Sequence, residues 1–383
     1  NVTGVQTCAL PISSGVQFLP FKELELLFQQ FIQAGYSIHA PQVVDGAILY
    51  SETESIDMLP RGVVDHQQPG HYRLTETGGS RYFSWSSALQ GVKAALFPPS
   101  EVLWSAEQQA GGELDFTQVL APQQAVALFG VRACDLAAIK LMDRHFLRSG
   151  AEDPWYQQRR ANLLLITVSC SSASGSCFCA STATGPESES GFDLRLDELD
   201  TGFLIRSGSE QGEILQAQLG LKEAKPEQLA KADEQLHTVA TQQQRAIATN
   251  DFRCHFTGQE ESPVWQQIAD RCLGCGNCTA VCPTCFCHRE EEVPSLDLQG
   301  SLHQRVWDSC FSGEHSQLHG VPVRTGRRER YRQWMMHKLA GWHDQFGESG
   351  CVGCGRCITW CPTGVDLLEE SARFVRDQLR DQS

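Results

Sequence analysis

Two short cysteine-rich runs have residue types and a spacing that could bind metal clusters. They are CLGCGNCTAVCP, from Cys272 to Pro283, and CVGCGRCITWCP, from Cys351 to Pro362, and each reads C-x2-C-x2-C-x3-C-P. Bacterial two-cluster ferredoxins hold [4Fe–4S] clusters with this run, and the fourth cysteine of each run ligates the other cluster. The repeated spacing therefore predicts two [4Fe–4S] clusters with crossed ligands.

The crossed pattern assigns four thiolates to each predicted cluster. One set is Cys272, Cys275, Cys278 and Cys361, and the other is Cys351, Cys354, Cys357 and Cys282. The alternative is a pair of zinc sites built from the same C-x2-C pairs. A third cysteine, a fourth cysteine and a proline, all repeated at the same spacing, favour iron–sulfur clusters over zinc.

Four further cysteines follow two buried strands that we predict in the N-terminal half. The apolar run Ala125–Val131 ends just before Cys134, and the run Leu163–Val168 ends just before Cys170. A helical pattern starts at once after the first run, with Asp135 as its predicted N-cap. A loop rich in Ser and Gly then supplies Cys177 and Cys179.

Open α/β sheets place their ligand sites at the carboxyl ends of strands. We therefore expect a third [4Fe–4S] cluster on Cys134, Cys170, Cys177 and Cys179, although their spacing fits no standard run. The alternative interpretation is that Cys134 and Cys170 are buried small apolar residues, as free cysteines often are. We interpret Cys285, Cys287 and Cys310, which lie between the two runs, as thiols that pack near the ligands or in the core.

Composition excludes several classes of function. The chain has 383 residues, a formal net charge of -15 and 41% hydrophobic residues. The acidic balance argues against nucleic acid or anionic lipid as a partner, and no run approaches the roughly 20 apolar residues of a membrane span. Its 17 cysteines cluster in metal spacings rather than as a disulfide framework. Because cluster assembly needs reduced thiols, we expect a cytoplasmic location.

The predicted fold class is α+β, with two domains after an atypical start. Residues 1–14 lack the features of a signal peptide and look like a non-native leader. Residues 15–255 read as an α/β domain, with a strand hairpin over 193–208 that has one solvated face. Residues 256–383 read as a mostly helical two-cluster, ferredoxin-like domain, because the runs are mounted on helical patterns and are far apart in sequence.

At this point the chain resembles a known family. The resemblance rests on GVRACDLAAI at Gly130, the CFC after Cys170, CLGCGNCTAVCPTCFC at Cys272, WDSC at Trp307, RYRQWMMHK at Arg330 and GCVGCGRCITWCP at Gly350. These segments are similar to the beta subunit of cytoplasmic sulfhydrogenases, which are NAD(P)-linked [NiFe]-hydrogenases, and to the electron-transfer subunit of anaerobic sulfite reductase.

The resemblance implies an iron–sulfur electron-transfer subunit. Its partners would be a flavin subunit that uses NAD(P)H and either the small and large subunits of a [NiFe]-hydrogenase or a sirohaem sulfite reductase subunit. The sequence itself shows no phosphate-binding or dinucleotide-binding glycine motif, and no Ser-His-Asp or Cys-His arrangement can be argued from it. We therefore expect a non-catalytic subunit. The alternatives are a free ferredoxin-like carrier and a reductase whose N-terminal cluster is itself catalytic.

Overall fold

A computed structural model describes residues 15–247 and 252–381. The predicted leader over residues 1–14 lies outside the described residues. The strands are β1 (Gln17–Pro20), β2 (Ser37–Val44), β3 (Ala47–Glu52), β4 (Val63–Gln68), β5 (His71–Glu76), β6 (Ser100–Gln108), β7 (Leu114–Gln118), β8 (Val126–Val131), β9 (Leu163–Val168), β10 (Leu194–Leu199), β11 (Gly202–Ser207), β12 (Lys222–Glu223), β13 (His288–Pro294), β14 (Gly300–Trp307), β15 (Gln317–Leu318) and β16 (Val321–Pro322).

The α-helices alternate with these strands in the N-terminal half and predominate after residue 256. They are α1 (Leu24–Gln33), α2 (Lys93–Leu96), α3 (Ala133–Phe146), α4 (Pro154–Ala161), α5 (Glu210–Gln218), α6 (Pro226–Thr241), α7 (Arg253–Phe256), α8 (Pro263–Arg271), α9 (Asn277–Ala280), α10 (Arg327–Met336), α11 (Trp342–Phe346), α12 (Arg356–Thr359) and α13 (Leu367–Asp381). The predicted α+β class is confirmed. Among the described residues, no helix is long and apolar enough to cross a membrane.

The N-terminal half is built on an eight-stranded sheet with the order β12-β1-β11-β10-β9-β8-β2-β3. The four strands β10, β9, β8 and β2 pair in parallel, and antiparallel strands complete both sides. The apolar runs predicted as strands are β8 and β9, and both are covered on two faces. Phe129 of β8 packs on Phe28 of α1, with ring centroids 4.9 Å apart, while its neighbour Leu128 belongs to the cluster that includes Ile139 of α3.

Two local predictions about this half were wrong. The N-cap of α3 is Arg132, so Asp135 lies in the first turn of the helix; its carboxylate forms an ion pair with Arg356 instead of capping the helix. The predicted hairpin exists as β10 and β11, but every residue of β10 is buried. That strand lies in the middle of the sheet, so neither of its faces is solvated.

A second sheet, with the order β13-β14-β6-β7, joins distant parts of the chain. Its strand β14 lies between the two cysteine runs, and it pairs antiparallel with β6 of the N-terminal half. Neither β13 nor β14 was predicted, because their sequences alternate charged and polar residues without a marked apolar face. The predicted division at residues 255 and 256 stays a prediction.

Candidate metal centre

The first cysteine run forms a tight loop between two helices. Cys272 ends α8 and Cys278 lies in α9. Between them, Gly274 and Gly276 have φ values of +68° and +78°, a region that residues with a Cβ rarely adopt. The backbone N–H of Gly274 donates to the Cys272 sulfur at 3.3 Å. The loop thus turns its thiols inward and presents N–H groups to sulfur.

Cys361, from the second run, joins the thiols of the first run. Burial raises the pKa of the Cys272 thiol, and charge on Cys361 and Cys275 raises it further. The pKa of Cys278 is raised in the same way, by burial and then by Cys272 and Cys361. One cavity is lined by all four of these cysteines. The structure therefore brings together the first predicted ligand set.

Cys282, from the first run, joins the thiols of the second run. Burial raises the pKa of Cys351 to about 12, against the N–H of Gly353, with Cys354 and Cys282 among the charges that raise it further. Burial also raises the pKa of Cys357, followed by the charges of Cys351, Cys354 and Cys282. The second predicted set is thus also brought together, and the crossing between the two runs is present in the fold.

A buried lysine contacts this second set. Lys338 is 4% exposed, and its ammonium donates to the Thr284 hydroxyl at 2.9 Å and to the Gly350 carbonyl at 3.3 Å. Burial lowers the pKa of Lys338, but the thiolates of Cys282 and its neighbours outweigh burial, so that the pKa is raised. None of the ion pairs of the described residues includes Lys338, although a buried charge is costly unless it is paired. Thiolate ligands of an anionic cluster would supply that pairing, so the residues fit the group.

The four N-terminal cysteines also converge. Burial raises the pKa of Cys170 to about 11, with Cys177 among the charges that raise it further. The pKa of Cys179 is raised by burial and then by Cys177 and Cys170, and Cys179 contributes to the raised pKa of Cys134. Because β8 and β9 are adjacent parallel strands, their carboxyl ends place the third predicted set at one edge of the sheet.

The third set packs directly on the second cysteine run. The backbone N–H of Phe178 donates to the Gly353 carbonyl at 2.9 Å. A Cβ on Gly353 would lie 2.7 Å from the backbone of Cys179, so only glycine allows this approach. Next to it, Arg356 and Asp135 form a fully buried ion pair at 2.8 Å. Cys354 of the second set and Cys134 of the third set both lie near this pair.

Cys285, Cys287 and Cys310 do not enter these three sets. Cys285 hydrogen-bonds to Cys282, which agrees with its interpretation as a thiol beside a ligand. Cys287 hydrogen-bonds to both Cys310 and His315. Sequence analysis found no Cys-His arrangement, because this imidazole lies 28 residues after Cys287 with no motif between them (315 − 287 = 28). The described residues hold no group of three or more His, Cys, Asp or Glu side chains placed for a single metal ion.

Comparison with known proteins agrees with the cysteine geometry. Residues 271–365 match the family described as a 4Fe–4S dicluster domain, so the chain binds [4Fe–4S] clusters. Sulfhydrogenase 2 subunit beta of Pyrococcus furiosus is 34% identical over 259 residues, which are 66% of this chain and 74% of that protein. No solved structure matches the chain. Because the alignment covers more than two thirds of the relative, this chain belongs to the family of sulfhydrogenase beta subunits.

Proposed function

We propose that this chain is the iron–sulfur electron-transfer subunit of a soluble [NiFe]-hydrogenase of the sulfhydrogenase type. In this proposal the two crossed sets hold one [4Fe–4S] cluster each, and Cys134, Cys170, Cys177 and Cys179 hold a third. A [4Fe–4S] cluster supplies one-electron transfer when bound. Family membership and the dicluster match support the electron-transfer part.

The crossing of the two runs is the observation that carries this proposal. Cys361 groups with the first run and Cys282 with the second, as the two-cluster pattern requires. Two independent zinc sites would draw all their ligands from one run each. The buried, carboxylate-free surroundings of Lys338 add a charge argument for an anionic group beside Cys282 and Cys351.

The contacts between the sets support an order for the three centres. The third set adjoins the second through Cys134 and Cys354, and the second adjoins the first through Cys357 and Cys278. At the far end Cys275 is exposed. We propose that one partner contacts this exposed end and that another contacts the N-terminal sheet.

The identity of the partners rests on the family. The relative is a beta subunit of a sulfhydrogenase. We propose that the partners are the small and large [NiFe]-hydrogenase subunits, together with a flavin/NAD(P)H-binding subunit, in the cytoplasm. Purification of the native complex from its host tests this part. Co-purification of nickel and flavin is expected, whereas a chain that purifies alone, or with a sirohaem protein, would contradict it.

Iron content tests the cluster assignment. The full chain, made anaerobically with cluster assembly intact, should carry roughly twelve irons, and Cys177→Ser should lower this to about eight. Cys254→Ser is the control, since the sequence leaves that cysteine outside every motif, and it should keep the full content. Stoichiometric zinc in place of iron would overturn the assignment, and unchanged iron in Cys177→Ser would remove the third site.

A further inference from the structure

The hairpin β13–β14 brings together chemical groups that the proposed clusters leave unused. Cys287 directly precedes β13, and Asp308 and Cys310 directly follow β14. The Asp308 N–H donates to the Cys287 carbonyl at 2.9 Å, so the two ends of the hairpin are fixed side by side. His315 lies on the segment that follows.

Three of these residues form a thiol–imidazole–carboxylate arrangement. Nδ1 of His315 lies 3.2 Å from the Asp308 carboxylate, whose side chain is 7% exposed. The imidazole also hydrogen-bonds to the Cys287 thiol, and this contact is the main reason that the pKa of His315 is raised. A nucleophile next to a base that a third group orients is the arrangement of activated cysteines.

A second thiol lies within reach of the first. Cys310 hydrogen-bonds to Cys287, and this bond, followed by His315, lowers the pKa of Cys287 to about 4 against the effect of burial. The same bond raises the pKa of Cys310. The pair therefore consists of a stabilised thiolate and a neighbouring protonated thiol, which are the attacking and resolving groups that thiol–disulfide exchange requires.

The pair differs from the predicted ligand sets in how its thiols interact. Within the three ligand sets, the thiols raise one another's pKa through charge. Cys287 and Cys310 instead share a hydrogen bond as their largest interaction. Such proximity suits the formation of a sulfur–sulfur bond better than the spanning of a cubane.

Cys287 also lines a cavity of about 250 Å³. Asp308 and the Trp307 ring form part of its wall, together with Lys93 from the N-terminal half. The Lys93 ammonium lies 3.7 Å from the centroid of that ring, and none of the ion pairs of the described residues includes it. This volume admits a small molecule rather than a protein loop, and the buried ammonium favours a ligand with anionic substituents.

We propose that Cys287 and Cys310 form a thiol–disulfide exchange site for small-molecule disulfides. The Cys287 thiolate attacks one sulfur of the disulfide, the substrate S–S bond breaks, and the departing thiolate takes the proton of the His315 imidazolium. Cys310 then gives its proton to the imidazole and attacks the sulfur of Cys287. The second substrate thiolate leaves with that proton, so one disulfide becomes two thiols and the protein holds a Cys287–Cys310 disulfide.

Restoration of the site takes two electrons and two protons. One proton returns to Cys310 and the other to His315, while both electrons come from a low-potential one-electron donor. Cys278, a predicted cluster ligand, lies near enough to Cys310 to contribute to its raised pKa. The inference rests on the proposed function only for the natural source of these electrons.

Covalent trapping in the full chain tests the site without reliance on turnover. Anaerobic Cys310→Ser protein, treated with bis(2-hydroxyethyl) disulfide, should retain one hydroxyethylthio adduct, located on Cys287 by peptide mass mapping. The wild-type chain should instead gain an internal Cys287–Cys310 disulfide and release two thiols per site. His315→Gln should slow adduct formation in the Cys310→Ser background by roughly a hundredfold near neutral pH. His319→Gln, at an exposed histidine four residues along, should leave that rate unchanged.

Several outcomes would overturn the inference. One is the absence of an adduct on Cys287 in Cys310→Ser, and another is equal slowing by His315→Gln and His319→Gln. Iron content separates the inference from the proposed function: Cys287→Ser should keep the wild-type amount, and loss of about four irons would make Cys287 a ligand instead. If the wild-type chain held no iron, the proposed function would fail, but trapping would still decide the exchange site.

Discussion

At the residue scale, the chain uses cysteine in two different surroundings. The predicted ligands lie on glycine-bearing loops, and backbone N–H groups approach some of their sulfurs, as Val365 does to Cys361 at 3.3 Å. Cys285 and Cys310 instead hydrogen-bond to another thiol. The same residue type therefore serves as a metal ligand where several thiols face one space, and as a thiol donor where only two meet.

The crossing of the ligand sets predicts an exchange of phenotypes between the two runs. Cys282→Ser should damage the cluster held by the Cys351 loop, and Cys361→Ser should damage the one held by the Cys272 loop, because each fourth cysteine groups with the other loop. Electron paramagnetic resonance of the reduced variants, compared with Cys275→Ser and Cys354→Ser as markers for each cluster, would show this. Damage confined to each residue's own loop would mean that the runs are independent sites.

Much of the ligand geometry was predictable from spacing, but its supporting residues were not. The run C-x2-C-x2-C-x3-C-P dictates a local loop, so the first three cysteines of each run need no long-range information. Lys338 and Arg356 could not be identified as partners of these loops, because their roles depend on contacts between segments far apart in sequence. The same holds for His315, whose partners Cys287 and Asp308 are brought near it by the hairpin.

At the element scale, the loop that carries Cys177 and Cys179 packs backbone to backbone on the second cysteine run. Thr184 donates to the Val352 carbonyl at 2.8 Å, and Thr359 donates to Ser176 at 2.9 Å. The parallel strands β8 and β9 were predictable as apolar runs, whereas this contact between two glycine-containing loops has no periodic signal. The third set thus depends on elements from both halves of the chain.

Alanine substitution at equivalent glycines should separate loop contact from backbone strain. Gly353 and Gly274 occupy the same position in the two runs, with φ of +62° and +68°. An added Cβ would meet the Cys179 backbone at 2.7 Å in the first case and only the Arg327 side chain at 3.5 Å in the second. We therefore expect Gly353→Ala to lose about 1–3 kcal/mol more stability than Gly274→Ala.

Thermal unfolding under anaerobic conditions, combined with iron content, would measure this difference. Gly353→Ala should also lose iron from the third set, since the Cys179 backbone must move. Equal destabilisation by the two substitutions would show that the cost lies in the φ values alone. Loss of iron by Gly274→Ala but not by Gly353→Ala would contradict the packing described for the third set.

At the scale of the whole molecule, the sheet β13-β14-β6-β7 holds the two halves of the chain together. Arg305 of β14 is 5% exposed, and it pairs with Glu101 of β6 at 2.6 Å and with Asp153 at the start of α4. No sequence pattern predicted this connection, because β14 alternates polar and apolar residues beside the cysteine runs and its partner β6 lies in the other half.

Removal of Arg305 should cost far more stability than removal of an exposed arginine on the same hairpin. Arg305→Ala leaves two acidic groups without their buried partner, and we expect a loss of roughly 3–5 kcal/mol. Arg289, which pairs with Glu291 at 3.0 Å and is half-exposed, should cost at most about 1 kcal/mol when changed to Ala. Chemical unfolding of the two variants under anaerobic conditions checks the expectation, and similar losses would argue against a buried role for Arg305.

The pairing of β6 with β14 also sets a timetable for synthesis of the chain. Ser100 and Gln304, which the sheet places side by side, are 204 residues apart. At about 5–20 residues per second, translation needs roughly 10–40 s to supply β14 after β6 has emerged. During that interval β6 has an unpaired edge that can join another strand. The nascent chain is therefore most prone to aggregate before its second cysteine run exists, so a delay in translation between the halves would lower the yield of folded protein.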